Sequence, residues 1–293
     1  MRARTATRRH HRLREAGTAA AFLLPSLAGI SCMLLAPTAD VVRRSFYSAM
    51  GNSFVGLDNY RTVLSNASFR LALTNTGRFL LICVPLLLTL SLVVALLLYR
   101  RKRLQSLFRT TYLLPLVVPV TSVALIIQTV FRRNGLLSAL CALFGLSPVD
   151  WLNSPYAFSV LVACYLWKNL GYNVILWMAG LAAIPEALSE AARVDGANAR
   201  QLFFHITLPQ LTGTFLVTSV LALINSFKVF REAYLVAGQY PHSSIYMLQH
   251  VLSNWFTNLD MQKISAAAVL LMGAILLLVL LVRRVSGEKG DAA

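Results

Sequence analysis

Cys32, Cys83, Cys141 and Cys164 stand at no metal-binding or redox spacing, and His10, His11, His205, His242 and His250 form no ligand constellation. Neither a zinc site nor thiol chemistry is expected from them. No Gly-Lys dipeptide occurs anywhere in the chain, which excludes the G-x-x-x-x-G-K-[ST] loop that cradles nucleotide phosphates. The G-x-S-x-G elbow and the H-E-x-x-H zinc pair are absent as well, against an intramembrane hydrolase. No catalytic residue, metal or cofactor is therefore expected. The polar groups that remain suit recognition and docking, and they gather in two stretches.

The first stretch is Trp167-Lys168-Asn169-Leu170-Gly171-Tyr172-Asn173, with Trp177 a turn beyond, inside an otherwise apolar run. Asn169, Tyr172 and Asn173 share roughly one helical face, and amide and phenol groups beside an aromatic platform suit a hydroxyl-rich ligand. Ser219, Asn225 and Lys228 in the next apolar run are the matching candidates. The competing reading is structural: Asn and Ser bond across a helix bundle, Gly171 and Gly180 permit close approach, Trp167 anchors at an interface, and Lys168 and Arg78 snorkel to its edge.

The second stretch runs from Ile184 to Pro209. Pro185 suits a first helical position and Glu186 complements the positive end of the helix dipole. Ile184, Leu188, Ala191 and Ala192 make one apolar stripe, with Glu186, Ser189, Glu190 and Arg193 around it. Glu186 and Glu190 repel at i,i+4 spacing, and Arg193 stands where it could compensate Glu190. Gly196 is placed for a left-handed cap, and Asn198 with Gln201 resembles a capping box opening a second helix. The pattern predicts helix, sharp turn, helix, with Leu202, Phe203 and Ile206 as a second apolar side. An amphipathic hairpin on the bilayer surface would show the same pattern.

These stretches must be positioned by a membrane protein. Of 293 residues 57% are hydrophobic and 13% charged, and the mean hydropathy is +0.64, unlike any soluble core. A net charge of +16 would suggest a nucleic-acid partner on a polar surface, but here the basic residues punctuate apolar runs. No nucleic-acid partner is expected. Six runs reach the roughly 20 residues needed to cross hydrocarbon: Thr18 to Ala39, Thr74 to Leu98, Tyr112 to Val130, Tyr156 to Ala183, Pro209 to Val229 and Ile264 to Val282. The predicted fold is thus an all-α polytopic bundle of six transmembrane helices. It comprises a basic tail 1–17, a membrane domain 18–283 holding the loop 184–208, and a tail 284–293.

Sixteen basic residues fall on the side of both termini and eight on the other, so both termini are expected in the cytoplasm. The basic N-terminal tail then reads as a topology determinant touching anionic membrane lipid. The first run is long, and Pro37 lies where a cleavage site needs a small residue, so an uncleaved helix is expected. Pro25, Pro85, Pro115 and Pro119 are expected to kink spans rather than end them. None of the 11 acidic residues lies inside a span so drawn. A secondary, ion-coupled transporter usually needs one there, which counts against that alternative.

Glu190-Ala191-Ala192, Asp195-Gly196-Ala197 and Ile206-x-Leu208-Pro209 resemble the E-A-A…G…I-x-L-P signature of permease subunits of bacterial ATP-binding-cassette importers that use a solute-binding protein. The likeness extends to Gly56-Leu57-Asp58-Asn59-Tyr60, Asn75-Thr76, Phe108-Arg109-x-x-Tyr112-x-x-Pro115 and Ile184-Pro185-Glu186, and is similar to the carbohydrate-type permeases. The resemblance implies that loop 184–208 holds a coupling helix docked on a separate dimer of ATPase subunits. Glu190, Ala191, Ala192, Asp195, Gly196 and Ala197 would make that contact. It further implies a second permease subunit, an extracytoplasmic solute-binding protein, residence in a bacterial inner membrane, and a sugar pathway around Asn169, Tyr172, Asn173, Trp177, Ser219 and Asn225. The family often has a T-G-G-G-P run after the fifth span; here Val236 to Pro241 retains only Gly238 and Pro241, so that loop is expected to be remodelled.

Overall fold

The computed structural model describes residues 21–48, 53–99, 101, 105, 108, 111, 114–115 and 117–285. Among these residues the structure is helical, save for one antiparallel bridge between Tyr47 and Phe54. The basic N-terminal tail and half of the Phe108 to Pro115 motif, Arg109 and Tyr112 included, lie outside the described residues. The chain divides into two compact units, one of residues up to 64 with 258–272, the other of 65–257 with 273 onward.

In the first unit α1 (Ala21–Ser45) is a rod whose Ser31–Leu35 turn is π-helical, and α2 (Asp58–Ser65) follows Gly56, which adopts φ +57°. The Gly-Leu-Asp-Asn-Tyr motif ties these together. Asn59 Nδ2 donates to the Ser45 and Tyr47 carbonyls at 2.9 Å each, and Tyr60 Oη lies 2.7 Å from Ser45 Oγ.

The second unit is built on α3 (Ala67–Tyr99), α6 (Ala157–Ala182) and α9 (Thr212–Lys228), which pack on one another. At 33 residues α3 is about 50 Å long, more than the hydrocarbon needs. Asn66 starts it by accepting from Phe69 N at 3.0 Å. One core layer joins Phe79, Cys83 and Leu87 of α3 to Phe158, Leu161 and Tyr165 of α6 and Ala222 of α9. A second joins Leu88, Ala95 and Leu98 to Val174, Trp177 and Leu181. Both layers are apolar, and the small side chains of Ala222 and Ala95 among the larger ones let the helices approach closely. The other helices of this unit are α4 (Val120–Phe131), α5 (Leu136–Leu143), α7 (Glu186–Val194), α8 (Ala199–Leu202), α10 (Phe230–Ala237) and α11 (Leu248–Thr257), and α12 (Met261–Val285) has residues in both units.

Four helical stretches are long and apolar enough to cross a membrane among the described residues: Ala21–Ser45, Ala67–Tyr99, Thr212–Ala237 and Met261–Arg284. There are five if α6 and α7, bent by 65° at their junction, count as one span. The expected third span is interrupted: Leu114, Pro115 and Val117 are helical, the helix breaks at Val118 and Pro119, and it resumes from Val120 to Phe131, with residues 112, 113 and 116 outside the described set. Two proline assignments need correcting. Pro119 caps the start of α4 instead of kinking a longer helix. Pro209 sits in a short helix, Leu208–Gln210, and the fifth span begins only at Thr212 after a break at Leu211. Pro85 does lie within α3, where Thr89 Oγ1 donates to its carbonyl at 2.8 Å.

Candidate functional site

Two places have the geometry of a site: the turn after α6 and a cavity in the bundle. At the turn, Ile184 precedes a proline and is pushed from helical geometry, so α6 must stop. Pro185 then occupies the capping position rather than the first helical one, with ψ 127°, and α7 begins at Glu186. At its other end Gly196 takes φ +81°, Gly196 N donates to Arg193 O at 3.1 Å and Ala197 N to Ala192 O at 2.9 Å. That doubly bonded left-handed stop closes the helix without a side-chain clash. Asn198 and Gln201 form the expected reciprocal capping box, at 2.8 and 2.9 Å, and open α8.

Helix, turn and helix are thus cross-tied through the backbone. None of the α7 side chains is buried, Leu188 on its apolar stripe is 40% exposed, and Val194 is 87% exposed. Glu190, Ala191, Asp195 and Gly196 are exposed and Ala192 and Ala197 half-buried. Asp195, Gly196 and Ala197 line a groove of about 350 Å³ with Gln201, Leu202, His205 and Ile206. The expected Glu190–Arg193 ion pair is not among the ion pairs of the described residues. Both side chains are exposed.

The bundle cavity, about 210 Å³, is lined by Cys164, Tyr165, Lys168 and Asn169 of α6, and by Asn225, Lys228, Val229 and Glu232 from α9 to α10. Of the six residues singled out in the sequence for a pathway, it brings together Asn169 and Asn225. Asn169 Nδ2 donates to Tyr165 O at 2.9 Å, and Asn225 Oδ1 accepts from Lys228 Nζ at 3.1 Å. Asn173 is fully buried, donates to Asn169 O at 3.0 Å and leaves Oδ1 without a partner. Ser219 is likewise buried with an unpartnered Oγ. Trp177 is buried in the α3–α6 layer, its indole N–H donating to Ser91 Oγ at 3.0 Å, and Tyr172 is half-buried; neither lines the cavity.

Glu232 was missed. The sequence reading ended the fifth span at Val229 and found no carboxylate in any span, but the helical stretch continues to Ala237. Glu232 lies within it, 5% exposed, accepting an ion-paired hydrogen bond from Lys168 through Oε1. Lys168 therefore does not snorkel; it crosses from α6 to α10. Asp40 similarly falls inside the rod Ala21–Ser45, where it pairs with Arg44 at 2.6 Å on an exposed face. The charge cluster Lys228, Arg231, Glu232 lowers the local hydropathy and made the span look finished. Its i,i+4 Lys–Glu spacing was the signal that the helix goes on. Arg78 also has a partner, its guanidinium lying 4.4 Å from the centre of the Phe158 ring.

A second motif explains itself here. Asn75 Nδ2 donates to the carbonyls of Ser243 and Tyr246 at 2.6 and 3.0 Å, and Thr76 Oγ1 accepts from Leu248 N at 3.1 Å. The Asn-Thr pair at the start of the apolar part of α3 thereby holds the segment leading into α11. The end of α10 is held as well, Gln128 Nε2 donating to Leu235 O and Val236 O at 3.1 and 3.2 Å.

Comparison with known proteins follows the same residues. Residues 87–287 match the family described as binding-protein-dependent transport system inner membrane component. The trehalose/maltose transport system permease protein MalF of Thermococcus litoralis is 31% identical, the match covering 88% of this chain and 89% of that one. The lactose transport system permease protein LacF of Rhizobium radiobacter is 30% identical over 73% and 74% of the two chains. The sulfoquinovosyl glycerol transport system permease protein SmoG of Agrobacterium fabrum is 31% identical over 85% and 83%. Among solved structures, a chain of a bacterial ABC transporter involved in the import of the acidic polysaccharide alginate superposes with a TM-score of 0.81. It shares 21% identity, with 97% of this chain and 100% of that chain covered. That likeness concerns the fold.

Proposed function

The chain belongs to the family of inner membrane components of binding-protein-dependent transport systems, and from that premise we propose that it is the permease subunit of an ATP-driven importer for a sugar or related polyhydroxylated solute. The observation that carries this reading is the near full-length similarity to sugar permeases, 31% identity over 88% of the chain in one case. The chain is a multi-pass membrane protein, and six crossings with both termini in the cytoplasm remain our reading of its topology. A second permease subunit, a separate ATPase dimer and an extracytoplasmic solute-binding protein complete the machine. A solved relative in complex with an alginate pentasaccharide-bound periplasmic protein supports the last of these.

In this reading α7 is the coupling helix. Its uncovered apolar stripe and exposed Glu190 form the face that an ATPase cleft would receive, and the small side chains of Ala191, Ala192 and Ala197 allow close approach. Asp195 and Gly196 fix the turn beyond it. Because the turn beyond α7 is held by its backbone and capping bonds, a push on α7 is passed on to α8 instead of being absorbed at the turn. The solute would pass beside Asn169 and Asn225, with Tyr172, Asn173, Trp177 and Ser219 on the same helices. None of these residues performs bond chemistry.

The test is purification from the native membrane in mild detergent, with mass spectrometry of stoichiometric partners. An ATPase and a second permease should be recovered, and both ATPase recovery and ATP-dependent uptake should collapse in Glu190→Lys while membrane insertion persists. Uptake that proceeds without any ATPase would favour an ion-coupled carrier, and undiminished uptake by Glu190→Lys would remove the coupling assignment.

A further inference from the structure

The cavity between α6 and α10 is charged in a way that a neutral solute does not explain. Lys168 and Glu232 neutralise one another across it, whereas Lys228 forms no ion pair among the described residues and is held only by Asn225 Oδ1 at 3.1 Å. The lining thus has one surplus positive charge. Glu232 is 95% buried, the complement of its 5% exposure, and its second oxygen, Oε2, is enclosed with no hydrogen-bond partner. An enclosed carboxylate oxygen without a donor is costly, and it is satisfied by a hydroxyl arriving in the cavity. Asn225, whose oxygen is occupied, presents its amide N–H groups beside Lys228.

The geometry points to this cavity as a subsite for an acidic sugar: a hydroxyl of the ring donates to Glu232 Oε2 while a carboxylate or sulfonate on the same ring meets Lys228 and the Asn225 amide. The assignment rests on the sugar-permease reading and specifies its substrate class. The volume of about 210 Å³ equals the share of about seven liquid waters, on the scale of one sugar ring. Lys228 is exposed where it lines the cavity, so it stays hydrated beside a neutral ring and gains a charge partner only from an anionic one. The hydrogen bond from Lys168 orients the Glu232 carboxylate, so that the same cavity presents an acceptor and a cation at separate points.

Cys164 lines the cavity, is half-buried and is a free thiol, which supplies a native reporter. In the purified, assembled transporter, the rate of Cys164 modification is followed with sulfonatoethyl and trimethylammonium-ethyl methanethiosulfonate. Each rate is normalised to the reagent's rate on a free small thiol. Peptide mass spectrometry separates Cys164 from the other three cysteines. We expect the anionic reagent to be favoured on the order of tenfold, the preference to fall towards unity in Lys228→Gln and to survive in Lys228→Arg. Galacturonate should slow the modification at concentrations where galactose does not.

Equal rates for the two reagents, a preference for the cationic one, or a preference unchanged by Lys228→Gln would overturn the acidic subsite. A thiol reached by neither reagent would do so too. Protection by galactose equal to that by galacturonate would overturn the acidic class while leaving the sugar reading standing. Protection by neither sugar would tell against both.

Discussion

Gly180 marks the closest approach of α6 to α9, since a methyl group there would overlap the Thr214 side chain. Overpacking of this kind costs about 1–3 kcal/mol. Gly180→Ala should therefore lower the thermal stability of the detergent-solubilised protein, and adding Thr214→Ala should return most of the loss; absence of that recovery would mean the two sites do not touch. His250 poses a different problem. It lies in α11, between the candidate spans Thr212–Ala237 and Met261–Arg284, fully buried among Phe230, Tyr234 and Tyr246, with Nδ1 accepting from Met247 N at 3.1 Å. Burial pushes its pKa down from 6.5 to about 4. The unfolded imidazole takes up a proton first as pH falls, so this stabilisation is complete above about pH 6.5 and is lost on going down to about pH 4. The span of that loss is on the order of 3 kcal/mol. A melting temperature that declines between pH 7 and 4.5, with a shallower decline in His250→Asn, is the expected result.

Among the elements, the turn from α6 to α8 was the most legible in the sequence. Its capping residues act locally: Gly196 must supply a positive φ and Asn198 must reach a backbone N–H three residues on, whatever the rest of the chain does. Asn198→Ala should cost about 1 kcal/mol of local stability and accelerate hydrogen exchange over residues 199–204 while α3 and α6 keep their protection. Uniform acceleration everywhere would show that the turn is not an independent element. Span boundaries were harder to read, because hydropathy weighs each charge as if it stood alone. Lys168 and Glu232 cancel only once α6 and α10 are side by side, a tertiary fact with no trace in either segment. Trp177 and Asn173 were ambiguous for a similar reason: an aromatic or amide group on a helix does not announce whether its neighbour is solute or Ser91. The structure gives Trp177 a protein partner and leaves Asn173 Oδ1 enclosed and unpaired.

At the scale of the molecule, much of the apolar surface is uncovered within this chain. Phe22 and Met33 of α1 are each 83% exposed and Leu281 at the end of α12 is 48% exposed, as expected where lipid or another subunit supplies the contact. The second unit is instead knit by long-range polar ties, and the Lys168–Glu232 pair is the most buried ion pair among the described residues. Removing one member leaves an uncompensated charge and should cost about 3–5 kcal/mol. Lys168→Gln and Glu232→Gln should each reduce the yield of folded protein, and the double variant should recover it; a double variant no better than the singles would show that the charges do not act as a pair. The two residues are 64 positions apart, so they leave the ribosome about 3–13 s apart at 5–20 residues per second. For that interval α6 is a finished helix with a cation in it and no counter-charge. The order of synthesis thus makes the α6 segment a transiently poor membrane guest, one that must linger beside water or the insertion machinery until the chain has delivered its own neutralising partner.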